Sequence, residues 1–151
     1  MSVDIYERSP IGTFTKDDLI TYTADWEGER FPDGRPKVPD DVIERMRGVT
    51  LTHAWGACRG GDFDFQFEGG FMNTHPGEVL CGRALTATFM PRRPDVRRAL
   101  DEQGEKGGHE GEHIHWSINM LVKGDVYVAD VYGKHEQGAI IGDNLAASIK
   151  A

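Results

Sequence analysis

The fold is decided by two neighbouring stretches near the end of the chain, Gly124-Asp-Val-Tyr-Val-Ala-Asp-Val131 and Ala139-Ile-Ile-Gly-Asp-Asn-Leu-Ala146. Residues 125–131 are rich in valine and predict a buried strand. Residues 139–141 predict a second, short strand. Gly142 then turns the chain, and residues 144–151 predict a helix. The two stretches therefore predict strands and a helix in close succession.

Upstream, the spacing of apolar residues predicts further helices and strands. A helix begins at Asp40 or Asp41, where Asp41 and Glu44 have the spacing of a capping box. Another helix fits residues 113–123, with Gly124 following its last turn. The other expected elements are helical turns at 15–22, a helix opening at 50–58, a short strand at 62–68, strands at 78–81 and 82–90, and a polar helix at 95–103 followed by a flexible loop at 104–111.

Residues 1–40 are expected to form an irregular arm. The segment 28–39 contains three prolines and two glycines, which favour a loop over a strand or a helix. Such a segment has little capacity to form a core of its own, so we expect it to lie across its own domain or on a neighbouring subunit. The helix at 144–151 is short and lacks a C-cap, which leads us to expect that the chain is part of a longer protein.

Composition limits the class of protein. A chain of 151 residues makes about one domain. It carries 25 acidic and 17 basic side chains, and the resulting net charge of −8 argues against non-specific binding of nucleic acid. Two cysteines, Cys58 and Cys81, supply neither a disulfide framework nor a thiolate zinc site. The sequence shows neither a signal peptide nor an apolar run long enough to span a membrane, so a cytoplasmic location is expected.

The candidate functional residue is Asp143, at the glycine turn that opens the last helix. The first amides of a helix have no internal partners and carry the positive end of the helix dipole, so they bind a carboxylate or a phosphate well. The alternative is that Asp143 only caps the helix, since aspartate is a preferred N-cap in any protein.

Two further clusters are candidates for binding. Arg92 and Arg93 belong to a group of four arginines in seven residues, which suits bidentate binding of a carboxylate or a phosphate. These arginines are equally consistent with a solvated helix start balanced by nearby acids. Residues 109–115 contain three histidines and two glutamates, which fit either a zinc site or a solvated loop. The sequence contains no Ser-His-Asp signature, P-loop or dinucleotide fingerprint.

The chain resembles the family of the regulator of ribonuclease activity A, which includes the 4-hydroxy-4-methyl-2-oxoglutarate / 4-carboxy-4-hydroxy-2-oxoadipate aldolases. The resemblance rests on Gly124-Asp-Val-Tyr-Val-Ala-Asp-Val-Tyr-Gly133, on Gly138-Ala-Ile-Ile-Gly-Asp-Asn-Leu-Ala146 and on the upstream strand Gly82-Arg-Ala-Leu-Thr-Ala. Order and spacing agree from about residue 40 to residue 151. The arm resembles that of a longer-tailed branch labelled lyase.

The resemblance implies an α/β chain with the β/β/α swivelling-domain fold of this family. Residues 1–40 would be the N-terminal arm, and residues 41–151 would be part of the domain, with the remainder beyond residue 151. The family forms homotrimers or hexamers with active sites at subunit interfaces. No nucleic acid or membrane partner is expected.

The resemblance also assigns roles to residues. Asp143 matches the catalytic aspartate that contacts a Mg²⁺ or Mn²⁺ ion through water, and Asn144 and Leu145 match positions whose amides hold the substrate carboxylate, beside Gly142. Arg92 and Arg93 are further candidates for substrate binding. The family's signature continues with an Arg-Asp pair twenty residues after the first aspartate, and this pair would fall beyond Ala151.

The implied function is a divalent-metal-dependent lyase, an aldolase or decarboxylase, that cleaves a carbon–carbon bond of a 2-oxo acid and leaves a metal-stabilised pyruvate enolate. Decarboxylation of oxaloacetate gives the same enolate and is an expected second activity. One alternative is a non-catalytic regulator that binds a basic protein surface, as in the ribonuclease-regulator branch. Another is a sugar-acid lyase or dehydratase on the same scaffold.

Overall fold

The computed structural model describes residues 14–133 and 140–150. Within these ranges the chain forms six helices and two strands. The elements, in chain order, are α1 (Lys16–Tyr22), α2 (Asp40–Met46), α3 (Leu51–Gly60), β1 (Arg83–Thr88), α4 (Pro94–Gly107), α5 (His113–Ile118), β2 (Asp125–Asp130) and α6 (Asp143–Lys150).

Strands β1 and β2 pair in parallel, from Arg83 opposite Asp125 to Thr88 opposite Asp130. Helices α4 and α5 lie in the connection between them, as parallel pairing requires a long crossover. The expected strands at 82–90 and 125–131 therefore both form, with shorter bounds than expected, and they lie in one sheet. The described part of the chain is a mixed structure of helices and parallel strands, compatible with the α/β class.

The core of the described residues is small and is centred on Leu85 of β1 and Ile118 of α5. In β1, Leu85 is buried while Ala84 and Thr86 are exposed, which is the period of two expected of a strand with one covered face. The prediction that residues 125–131 form a buried strand is wrong, because the residues of β2 are half-buried or exposed and the side chain of Val128 is 46% exposed. In the described residues β2 has one neighbouring strand, β1.

Three predicted helices differ from the structure in their ends. Helix α2 begins at Asp40 as expected, but Pro39 is its N-cap and makes no side-chain cap, so the capping box of Asp41 and Glu44 is wrong. Helix α5 ends at Ile118 rather than near residue 123, and Gly124 instead turns the chain into β2 with a φ of 91°. Helix α4 continues to Gly107, through half of the predicted loop at 104–111.

Two predicted strands do not form. Residues 62–68 include Asp62 and Phe65 with positive φ, which an extended strand does not allow, so the alternating phenylalanines reflect a loop. Residues 78–81 follow a turn at Gly77, whose φ is 90°, and stay irregular up to β1. For the predicted strand at 139–141, Ala139 lies outside the described residues, and Ile140 and Ile141 are not in a strand.

The arm begins with the predicted helical turns at 15–22, which α1 confirms. Thr15 and Asp18 form a capping box at its N-terminus, with Thr15 Oγ1 accepting from the Asp18 amide at 3.2 Å. Residues 28–39 then run as an irregular strap with one isolated bridge between Arg30 and Pro36. The arm residues from 14 onward are therefore partly regular, and the strap is the loop that the prolines predict.

The strap lies across its own domain, one of the two predicted placements. Arg35 donates to Asp125 Oδ2 at 3.1 Å and to the Met120 carbonyl at 3.3 Å. Arg83 of β1 donates in turn to the Val38 carbonyl at 2.9 Å and to Asp125 Oδ1 at 3.1 Å. A carboxylate at the start of β2 thus ties the strap to the sheet.

Candidate functional site

The start of α6 has the geometry expected of a helix that can bind an anion. The Gly142 carbonyl accepts from the Ala146 amide at 2.9 Å, so Gly142 is the N-cap and Asp143 is the first helical residue. The amides of Asp143, Asn144 and Leu145 therefore have no carbonyl partner inside the helix. The interpretation that Asp143 is itself the N-cap is wrong by one residue.

The predicted residues at this turn are accessible from solvent. Gly142, Asp143 and Asn144 are exposed, and Leu145 is half-buried. Among the described residues, no heavy atom lies within 4 Å of a Cβ atom built on Gly142, so this side of the glycine is open. Among the described residues, the Asp143 carboxylate has a local contact, in which its Oδ1 accepts from the Asn144 amide at 2.9 Å.

The described residues do not by themselves form a metal site. Within residues 14–133 and 140–150, there is no group of three or more histidine, cysteine, aspartate or glutamate side chains that could hold a metal ion. Asp143 is a hard oxygen ligand of the kind that Mg²⁺ and Mn²⁺ prefer, but it is a single carboxylate.

Arg92 and Arg93 lie beside α4 rather than at α6. Arg93 is the N-cap residue of α4, and its guanidinium bonds Asp95 at 2.5 Å. This bond is the main cause of the lowered pKa of Asp95. Both arginines are exposed, and no ion pair or hydrogen bond in the described residues joins either of them to Asp143. Arg93 thus has an acidic partner of its own, as the solvated-helix interpretation expects.

The other arginine contacts follow the same pattern. Arg97 bonds Glu112 Oε2 at 2.7 Å and pairs with Asp101 at 3.5 Å, one turn further along α4. Glu112 is the main cause of the raised pKa of Arg97. The pair with Glu112 joins α4 to the N-terminus of α5 across the loop between them, whereas the pair with Asp101 lies within α4.

The histidine-rich stretch packs around one tryptophan. His109 stacks on Trp116 with ring centroids 4.9 Å apart, and the His113 ring is tilted against the same indole with centroids 4.6 Å apart. His113 Nε2 is also 2.8 Å from Asp101 Oδ1. The structure gives these side chains contacts with protein groups, which supports neither a solvated loop nor a metal site at this stretch.

The tryptophan fits against α4 because that helix carries two buried glycines. Gly104 and Gly107 face the cluster, and a Cβ atom at Gly104 would collide with the Trp116 ring. The indole Nε1 of Trp116 and the Nε2 of His109 are buried without a protein partner among the described residues. The glycines that suggested a flexible loop therefore serve close packing between two helices.

Sequence reasoning missed the ionic cluster at the start of the sheet, formed by Asp33, Arg35, Arg83 and Asp125. The Asp125 side chain is completely buried and accepts from both arginines. Burial alone would lower the pKa of Arg83, but its hydrogen bonds to Asp40 and Asp125 outweigh burial and raise it. The parallel register places Arg83 opposite Asp125. The signal in the sequence that could have predicted this ion pair is the pair of opposite charges at the first positions of the two strands.

Comparisons with known proteins add no relative: no family model, curated protein or solved structure matches the chain. Among the described residues, none of the helices has both the length and the apolar character needed to cross a membrane.

Proposed function

We propose that this chain carries the substrate-carboxylate binding turn of a divalent-metal-dependent lyase that acts on a 2-oxo acid. The observation that carries the proposal is the N-terminus of α6, where the Asn144 and Leu145 amides have no carbonyl partner inside the helix and the Asp143 carboxylate is exposed. The β/β/α swivelling-domain fold and a trimeric or hexameric assembly belong to the same proposal. The resemblance described above supports both.

The amides bind the carboxylate of the substrate. Because the Asp143 Oδ1 atom accepts from the Asn144 amide in the free protein, an incoming carboxylate competes for that amide. The competition releases the Asp143 side chain towards the reacting end of the substrate. Binding of the substrate is thus coupled to the exposure of the group that acts on it.

Asp143 then orients a water molecule and moves the proton that returns to the enolate carbon. When bound, Mg²⁺ or Mn²⁺ would supply the Lewis acidity that stabilises the enolate. The resemblance puts the arginine and the metal-ligating aspartate after residue 151, so none of the described residues is assigned those tasks.

The test measures pyruvate release from oxaloacetate with Mg²⁺ and with EDTA, on the 151-residue chain and on any longer product of its gene. Asp143→Asn should reduce metal-dependent turnover on the order of 100-fold, because a neutral amide cannot accept and return the proton. The melting temperature should change little, since asparagine and aspartate are comparable at the start of a helix.

Three outcomes contradict the proposal. They are full activity in EDTA, unchanged turnover in Asp143→Asn, and no pyruvate release from any form of the protein. The last outcome would leave the non-catalytic binding protein as the better hypothesis. The 151-residue chain alone is expected to be inactive. If it is active, the candidate catalytic residues become Arg92, Arg93 and the histidines of residues 109–115.

A further inference from the structure

An open groove with aromatic walls lies between α3 and the loop that follows it. The groove has a volume of about 350 Å³ and is lined by Leu51, Thr52, Trp55 and Phe67. Trp55 is 41% exposed and Phe67 is 50% exposed. The packing of the described residues therefore leaves much of both rings accessible to a ligand.

Contacts between the loop and α3 place one wall of the groove. The Phe63 amide donates to the Cys58 carbonyl at 2.9 Å, and Asp64 Oδ1 lies 3.9 Å from Arg59 Nε. These contacts hold the start of the loop beside the last turn of the helix. Further along the loop, Phe67 lines the groove together with side chains of the helix. The helix thus supplies one aromatic wall and the loop supplies the other.

The ring of Trp55 already accepts a positive charge from the chain itself. The guanidinium carbon of Arg59 lies over this ring, 5.0 Å from its centroid. Arg59 follows Trp55 by four residues, so both side chains lie on one face of α3. Tryptophan is the aromatic residue that attracts cations most strongly, at up to about 6 Å from the ring centroid. The contact with Arg59 therefore indicates that the electrostatics of this ring suit a cation.

The charges around the groove also favour a cation. Residues 59–68 contain Asp62, Asp64 and Glu68 against one base, Arg59, and the whole chain carries a net charge of −8. The ion pair between Arg59 and Asp64 is long, at 3.9 Å, and both side chains are exposed, so the pair is weak. A cation in the groove is attracted by the excess of negative charge nearby, whereas an anion is repelled.

The chemistry of the lining selects the kind of cation. Among the four lining side chains, the Thr52 hydroxyl group is the one hydrogen-bond acceptor. A primary ammonium or a guanidinium group would exchange water for a lining that cannot pair most of its N–H groups, which weakens binding. A quaternary ammonium group has no N–H, and its methyl groups contact aromatic rings directly. It is therefore the cation that fits this lining best.

We infer that the groove binds a small organic cation of the quaternary ammonium class as a free molecule. Its volume lies at the small end of the range of ligand-binding pockets, which suits a ligand of this size. The methyl groups contact the Trp55 and Phe67 rings, and Asp64 supplies negative charge nearby. The inference is independent of the proposed lyase activity, because it uses neither α6 nor Asp143 and its test does not measure turnover.

Titration of the 151-residue chain with choline tests the inference. The comparison ligand is the carbon isostere of choline, in which a neutral tert-butyl group replaces trimethylammonium. The methyl proton resonances of choline, followed by NMR, should move upfield because the methyl groups come to lie on aromatic rings. Choline should bind roughly ten-fold more tightly than the isostere, since two rings attract only the charged ligand. Added salt should weaken choline binding, because the nearby charges are exposed.

Three variants separate the aromatic and the electrostatic parts of the site. Phe67→Leu keeps an apolar wall without an aromatic ring, so it should weaken choline binding by roughly three-fold or more and change binding of the isostere little. Asp64→Asn removes a nearby negative charge, and Arg59→Gln removes the nearby positive charge. The first of these two should weaken choline binding and the second should strengthen it, each by about two-fold at low salt.

Asp41→Asn is the matched control. Asp41 pairs with Arg45 on α2 at 3.9 Å, the same distance as in the pair of Asp64 and Arg59, and both pairs are exposed. Loss of this pair should leave choline binding unchanged, since neither residue lines the groove. Far-UV circular dichroism of each variant checks that it remains folded.

Any of four results overturns the inference. The choline resonances do not shift even at tens of millimolar ligand, the neutral isostere binds as tightly as choline, Phe67→Leu leaves choline binding unchanged, or Asp64→Asn and Arg59→Gln change it in the same direction. Binding to phosphatidylcholine vesicles without binding to free choline would also overturn it, because the site would then recognise a lipid surface.

Discussion

At the scale of the residue, two helical glycines differ in how closely other side chains pack against them. Gly104 of α4 faces Trp116 so closely that an added Cβ atom would overlap the ring. Gly56 of α3 has no heavy atom within 4 Å of the same position. Both residues are inside helices, so the difference between them is one of packing and not of backbone conformation.

Gly104→Ala should destabilise the protein by about 1–3 kcal/mol, because the methyl group forces Trp116 and its two histidine neighbours out of place. Gly56→Ala should instead stabilise it by up to about 1 kcal/mol through helix propensity alone. Chemical denaturation followed by circular dichroism measures both. An equal effect of the two substitutions would mean that Trp116 does not pack on α4 as described.

Tyr127 of β2 shows how one residue contributes at alkaline pH. Its hydroxyl group is 2.8 Å from Ser117 Oγ, and burial raises its pKa although this hydrogen bond acts to lower it. A folded-state pKa above the unfolded value gives stability that is present below about pH 10 and is lost as the pH rises through the folded pKa. The contact also holds α5 against the sheet.

Tyr127→Phe should therefore flatten the loss of stability between pH 10 and higher pH, because the group that must ionise is absent. At neutral pH the variant should lose about 1 kcal/mol with the hydrogen bond to Ser117. Ser117→Ala is the companion variant, since it removes the hydrogen bond but keeps the phenol. A Tyr127→Phe profile that still falls as steeply as the wild type would assign the alkaline loss to other groups.

At the scale of the element, the strap depends on one carboxylate. Asp125 is buried between Arg35 of the strap and Arg83 of β1, and Asp33 adds a second acid at 2.6 Å from Arg35 Nε. Phe31 completes the packing with its ring under both guanidinium groups, at 5.1 and 5.5 Å. The strap is thus held by a buried charge network and not by an apolar core of its own.

Asp125→Asn should cost about 3–5 kcal/mol, because it leaves two buried guanidinium groups without their shared counter-charge. The amides of residues 28–39 should then exchange hydrogen faster, since the strap loses its anchor. Glu29→Gln is the matched control: Glu29 pairs with Lys37 at 3.0 Å on the exposed side of the same strap and should change stability by less than about 0.5 kcal/mol. If the amides of the strap exchange hydrogen as slowly in Asp125→Asn as in the wild type, Asp125 does not anchor the strap.

At the scale of the whole molecule, the structure favours ionised carboxylates. Hydrogen bonds lower the pKa of Asp18 through Thr15, of Asp40 through Arg83 and of Asp95 through Arg93. A carboxyl group whose folded pKa lies below its unfolded value stabilises the protein above the unfolded pKa, and that contribution is lost as the pH falls through the folded pKa. The three groups share this direction.

The melting temperature should therefore decrease as the pH falls below about 4, where carboxyl groups of unfolded chains begin to bind protons. Asp40→Asn should show a lower melting temperature at neutral pH and a smaller decrease on acidification than the wild type. Asp41→Asn, at an adjacent exposed position, serves as the control. A decrease of the same size in wild type and Asp40→Asn would remove Asp40 from the explanation.

The sequence by itself determined the local structure and the position of the candidate site. Apolar spacing placed α1, the start of α2, α3, β1 and β2, because these patterns depend on neighbours along the chain. The glycine turn at Gly142 and the helix after it followed from local turn chemistry in the same way. Asp143 could be singled out without any knowledge of distant contacts.

Only the tertiary structure decided which residues distant in the sequence contact one another. Whether Gly104 lies in a loop or in a helix depends on Trp116, which is twelve residues away and packs against it. Whether the strap lies on its own domain depends on a buried carboxylate that is 90 residues from Arg35 along the chain. The burial of the Asp125 charge is set by contacts between distant segments, and no local period in the sequence encodes those contacts.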